Sequence, residues 1–175
     1  NWRRHKILFR PGWNRETGMW ELTASPFFFF DEKEDRWFVY FNFMAYDSIR
    51  SWNTPTLLRR AGAKTKGIDG INGEFAYPGE IVAPSGIAHP TDAAASSISP
   101  PFQAADGKWY AFLGGGPKPF NASSGNWWVL IVQAKGPEGP FIYMPEHAPE
   151  PFMVPTGFVE NPLIAKITGP VTGKE

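Results

Sequence analysis

The stretch Ser99-Pro100-Pro101-Phe102-Gln103-Ala104-Ala105-Asp106-Gly107-Lys108-Trp109-Tyr110-Ala111-Phe112-Leu113-Gly114-Gly115 reads as a β-hairpin. Proline opens a short strand, Asp106-Gly107 turns the chain, and an aromatic strand follows. Asp-Gly between apolar runs predicts a tight primed turn, because both residues tolerate the positive φ that it needs. The same order recurs upstream, from Ser25-Pro26 through Phe27–Phe30 and a charged tip to Trp37–Phe41. A third opening, Glu160-Asn161-Pro162 followed by Leu163-Ile164-Ala165-Lys166-Ile167, stands near the end. Three copies of one opening predict a repeat architecture.

Composition agrees with an all-β chain. The 175 residues include 8 Trp, 15 Phe, 18 Gly and 18 Pro, which means many turns and few long helices. Lysine plus arginine and aspartate plus glutamate are equal at 17 each, so no net field points to nucleic acid or to an anionic membrane. With no cysteine, disulfides, thiolate zinc sites and thiol nucleophiles are excluded. The longest apolar run is far short of the roughly 20 residues that a membrane helix needs. His5, His89 and His147 are isolated, no spacing suggests a metal site, and no cofactor motif is present.

Phe27–Phe30 and Trp37–Tyr46 are apolar almost without alternation. A sheet with one wet face would alternate, so these strands are expected to be covered on both faces. No amphipathic helices separate the strands, which argues against a parallel α/β sheet and for stacked antiparallel blades. Further strands are expected at Lys6–Phe9, Met19–Leu22, Pro55–Arg60, Glu80–Ala83, Trp127–Val132 and Pro140–Tyr143. Thr91–Ala95 suits an isolated helical turn capped by Thr91 or Asp92. Asp31, Glu32, Glu34 and Asp35 read as a solvated hairpin tip. The expected fold is a β-propeller of four-stranded antiparallel blades: one blade at about 25–83, one at about 99–144, and the start of another at 160. Two blades and a start cannot close a ring, so residues 1–175 are expected to be a portion, about half or less, of a longer propeller protein.

With these openings, with Asp106-Gly107-Lys108-Trp109-Tyr110-Ala111-Phe112, and with Ala134-Lys135-Gly136-Pro137-Glu138-Gly139-Pro140-Phe141, the sequence resembles the five-bladed β-propeller glycosidases. That group includes arabinanases, β-xylosidases, levanases and invertases. The resemblance implies a glycoside hydrolase whose blade openings line a central funnel and supply carboxylates. It places a base or nucleophile Asp before the first-blade proline, an orienting Asp at the second opening and a general-acid Glu at the third. Glu160 matches the acid, whereas Ser25 and Ser99 stand where the two Asp residues would be. It also implies a carbohydrate substrate, no cofactor, and an extracellular or periplasmic location.

Glycoside hydrolysis needs a second carboxyl group, about 5 Å away for retention or about 6.5–9.5 Å for inversion. Asp92, in the small-residue loop before the central hairpin, and Glu21, four residues before Ser25, are the candidate partners of Glu160. Asp47 ends an aromatic strand and suits either substrate contact or a turn cap. His89 shares the loop of Asp92. Trp52, with little apolar company, is the first candidate for stacking on a sugar, with Trp13 and Trp127 behind it. The second reading is a non-catalytic propeller that binds glycan or protein. A sialidase-like propeller ranks last, because its Ser-x-Asp-x-Gly-x-x-Trp box is absent.

Overall fold

A computed structural model describes residues 6–46, 57–83, 94–116 and 128–143. They form ten strands: β1 (Trp13–Asn14), β2 (Met19–Asp31), β3 (Arg36–Tyr46), β4 (Leu57–Gly62), β5 (Glu80–Ala83), β6 (Ala94–Ile98), β7 (Phe102–Gln103), β8 (Trp109–Gly116), β9 (Trp128–Ala134) and β10 (Ile142–Tyr143). The helical content among them is a short 3-10 segment, Ile68–Asn72. The protein is all-β and its named strands pair antiparallel. One sheet runs β1-β2-β3-β4-β5; the other runs β6-β8-β9-β10, with β7 also on β8. Among the described residues neither sheet closes into a barrel or a ring.

The opening stretch behaves differently from its sequence reading. Strand β6 pairs with the Leu113–Gly116 end of β8 and β7 with its Trp109–Tyr110 end, while β9 takes the other edge. So β6 and β7 are two halves of one line, broken at Ser99-Pro100-Pro101. Prolines cannot donate to a ladder. Ser99 fills the gap: its backbone N–H donates to the Phe112 carbonyl at 2.8 Å, and its Oγ accepts the Phe112 N–H at 2.9 Å. Strand β2 repeats the device, with a bulge between Ala24 and Phe27 and with Ser25 at φ 50°. The Ser-Pro steps are therefore interruptions within long lines of strand, not strand starts. Each sheet contains a four-line meander, β2-β3-β4-β5 and β6/β7-β8-β9-β10, to which β1 is added.

Four local expectations are also corrected. The Asp106-Gly107 turn is not a two-residue primed turn, because only Gly107 has positive φ, at 79°. Gly107 N–H donates to Ala104 O and Ala104 N–H to Lys108 O, which makes a three-residue loop with a glycine bulge. Asp31 is buried rather than solvated, since its Oδ1 accepts the N–H groups of Lys33 and Glu34 at the β2–β3 turn. Lys6–Phe9 forms no strand, and Ala94 and Ala95, the last two residues of the helical turn expected at Thr91–Ala95, lie in strand β6; the first three lie outside the described residues.

Continuous aromatic character in β3 does produce burial on both faces. Phe38 and Tyr40 point into a core shared by the two sheets, with Leu58, Val82, Ile98, Leu113, Val132 and Phe141. Val39, Phe41 and Phe43 point the other way, into a second cluster with Ala61, Ala63 and Phe75, partly covered by Leu8, Phe9 and Tyr77. The Ala134–Phe141 stretch locks the sheets together. Its Pro137 carbonyl accepts the Tyr40 hydroxyl at 2.7 Å, and Phe141 N–H donates to Val82 O at 2.7 Å. Gly139, at φ 81°, would place any Cβ 2.7 Å from the Val82 carbonyl oxygen, so the lock needs glycine there.

Tyr40 gives this lock a pH signature. Burial pushes its hydroxyl above the ordinary tyrosine range, so the neutral form is favoured in the folded protein. Its contribution is fully present below the unfolded value, about 10, and is lost as pH rises beyond it. Tyr40→Phe is expected to cost about 1–3 kcal/mol at neutral pH, through the unpaired Pro137 carbonyl, and to flatten the alkaline loss of stability. Urea unfolding at pH 7 and above pH 10 checks both effects.

Candidate functional site

Of the six residues singled out for chemistry, Glu21 lies among the described residues. Glu160, Asp92, Trp52, His89 and Asp47 lie outside them. Glu21 sits in β2 opposite Ala45 of β3, and its side chain takes the face that carries Phe41 and Phe43. Both carboxylate oxygens are engaged. Oε1 accepts Asn14 Nδ2 at 2.7 Å and Oε2 accepts the Tyr77 hydroxyl at 2.6 Å.

Each partner is itself held. Asn14 is in the edge strand β1, and its Oδ1 accepts the N–H groups of Glu16 and Thr17 at the hairpin turn. The Tyr77 ring lies nearly parallel to Phe41 at 6.5 Å and tilts against Phe9 at 5.0 Å. Behind them Arg59 of β4 spreads over the Phe43 ring at 4.4 Å and donates to the Gly79 carbonyl at 3.0 Å. Burial, and then the bond to Glu21 and its charge, push the Tyr77 hydroxyl above the ordinary tyrosine range. Burial lowers the Arg59 guanidinium, opposed by the charges of Tyr77 and Glu21.

This is an acceptor carboxylate. The Tyr77 hydroxyl and the Asn14 amide both donate to it, and each oxygen keeps a further lone pair. Such a group fits a base, a nucleophile or an orienting charge better than a general acid. An apolar recess of about 250 Å³ on the same sheet is lined by Leu8, Phe9, Thr23, Ala24, Pro26 and Phe41, with Glu21 outside its lining. Phe9 and Phe41 are shared with the Tyr77 clamp. At that size, below the roughly 300–1,000 Å³ of most ligand pockets, it suits no more than one small ring.

Other groups offer less. A second recess of about 170 Å³ holds Arg36, Arg60 and Lys64, but Arg60 pairs with Glu80 at 3.0 Å and Lys64 with Glu74 at 2.7 Å. Ser99 is fully buried and bonded to the β8 backbone, so it presents no polar group to a cleft. No group of three His, Asp or Glu side chains among the described residues could hold a metal. No helix among them is long and apolar enough to cross a membrane. Comparison with protein-family models, with curated proteins and with solved structures gave no match.

Sequence reasoning selected Glu21 but missed Asn14, Arg59 and Tyr77. Asn14 stands seven positions before Glu21, on the neighbouring strand β1. Tyr77 is 56 positions away and reaches Glu21 through the sheet, which no local pattern reveals. The Tyr77–Glu21 bond is expected to contribute about 1–2 kcal/mol, since charge-assisted bonds are strong but this one is only part-buried. A double-mutant cycle of Tyr77→Phe with Glu21→Gln, followed by urea unfolding, measures it; the double variant is expected to lose less than the sum of the singles.

Proposed function

We propose that this chain is glycoside hydrolase-like, acts on a plant or microbial polysaccharide or oligosaccharide, and follows the five-bladed β-propeller plan. The observation that carries this reading is Glu21, a carboxylate held as an acceptor by Asn14 and Tyr77. Two successive four-line meanders, each with a proline-bearing interruption and a hairpin, support the propeller plan, in which every blade is a four-stranded sheet. In this reading Glu160 is the general acid and Glu21 or Asp92 its carboxylate partner. Trp52, His89 and Asp47 contact the sugar. No cofactor takes part, and the protein works outside the cell or in the periplasm.

A second reading, non-catalytic glycan binding, is favoured by Ser99. It stands where the resembling enzymes carry an Asp, and it spends its hydroxyl on the backbone of Phe112. The test is a screen of the full-length protein on arabinosyl, xylosyl, fructosyl and galactosyl substrates, alongside Glu160→Gln and Glu21→Gln. Loss of the general acid is expected to slow turnover about 10²–10⁴-fold. Undiminished turnover in Glu160→Gln would remove that residue from the mechanism. Glycan binding without any turnover by the unaltered protein would favour the second reading.

A further inference from the structure

We propose that a recess formed by β3, β4 and β5 binds a tetrahedral oxyanion, a phosphate or sulfate group, on Arg36, Arg60 and Lys64. The proposal stands apart from the carbohydrate reading. Glu21 lies opposite Ala45, about 30 Å along β3 from Arg36, and its side chain takes the other face of the sheet. The recess has a volume of about 170 Å³ and is lined by those three cations and one carboxylate, Glu80. Gly62 and Gly79 add no side chain to it. The volume equals the share of about five or six water molecules, which is room for one such group and not for a chain.

Arg36 is the cation that the protein leaves unmatched. Its register partner is Asp31, but Asp31 turns Oδ1 to the N–H groups of Lys33 and Glu34. The ion pairs among the described residues are Arg60–Glu80 and Lys64–Glu74, and Arg36 Nε is buried with no acceptor among those residues. Gly62 makes room for this side chain: a Cβ there would come within 3.4 Å of Arg36 Cδ and 3.0 Å of the Phe38 ring. Arg60 is held ready on the Phe38 ring at 4.4 Å, with its side chain only 12% exposed. Its partner Glu80 meets it through Oε2 and is 71% exposed. Lys64 and Glu74 are both well exposed. Ion pairs with so much water around them contribute little, so an incoming anion displaces or shares them at small cost. Two guanidinium groups, one packed in place and one with an unmet donor, suit the oxygens of phosphate or sulfate. Three cations against one carboxylate leave the lining with two positive charges in excess, which matches a dianion. A nucleic-acid strand is a poorer match, because lysine plus arginine and aspartate plus glutamate balance at 17 each.

The test is isothermal titration calorimetry of the full chain at pH 7 and constant ionic strength, with inorganic phosphate, sulfate, chloride, acetate and glycerol 3-phosphate. Phosphate and sulfate are expected to bind saturably at one site, and chloride and acetate about tenfold more weakly or less well still. Arg36→Gln is expected to weaken phosphate binding about tenfold, and Glu80→Gln, which removes the competing carboxylate, to tighten it. Should Arg36→Gln not fold, Glu80→Gln decides: tighter binding supports the site, and unchanged or weaker binding overturns it. Glycerol 3-phosphate binding as tightly as inorganic phosphate would assign the recess to a phosphate ester, and binding of the free ions alone would assign it to those ions. No saturable binding of phosphate or sulfate, equal binding of chloride or acetate, or unchanged binding by Arg36→Gln would each overturn the proposal. Turnover on glycans bears on the hydrolase reading alone, so the two fail separately.

Discussion

Everything described in this protein leans on one strand that has no wet face. Strand β3 sends Phe38 and Tyr40 into the core between the sheets and Val39, Phe41 and Phe43 into the opposite cluster. Both sets of contacts must form together, because a one-residue slip in register would exchange the two faces. The register is fixed again at a distance, where the Tyr40 hydroxyl reaches the Pro137 carbonyl of the second sheet. The Glu21 cluster depends on the same strand, since Phe41 and Phe43 form the bed on which Tyr77 and Arg59 lie.

The fold class and most strands were legible for a physical reason. Burial on both faces removes the polar half of the alternation, so Trp37–Tyr46 announces a covered strand without any structural knowledge. The two Ser-Pro steps were legible as a repeated element but not in their role. Proline's missing N–H marks a break in a ladder equally well at a strand's start and in its middle. Only the partner, Phe112 for Ser99, shows which applies. Asp106-Gly107 illustrates the same limit: glycine at positive φ is readable, while the loop length depends on where the strands register.

The candidate site was legible as a single residue and not as a cluster. Glu21 stood out as a carboxylate near a repeated opening. Its environment is assembled from β1, from β4 and from the segment before β5, and its partners lie up to 56 positions from it. Asp31 shows the reverse error, a charged residue at a charged tip whose oxygen is drawn inward by two backbone N–H groups. Charge patterns predict solvation on average; hydrogen-bond demand at a turn decides the individual case.

Native-state hydrogen exchange tests most directly whether one strand covered on both sides holds two sheets as a unit. If it does, the bonded amides of β3, β8 and β9 exchange together, only through global unfolding, and share one denaturant dependence. Slower exchange in β3 with a separate, less stable opening of β8 and β9 would contradict the shared core, and with it the lock between Tyr40 and Pro137.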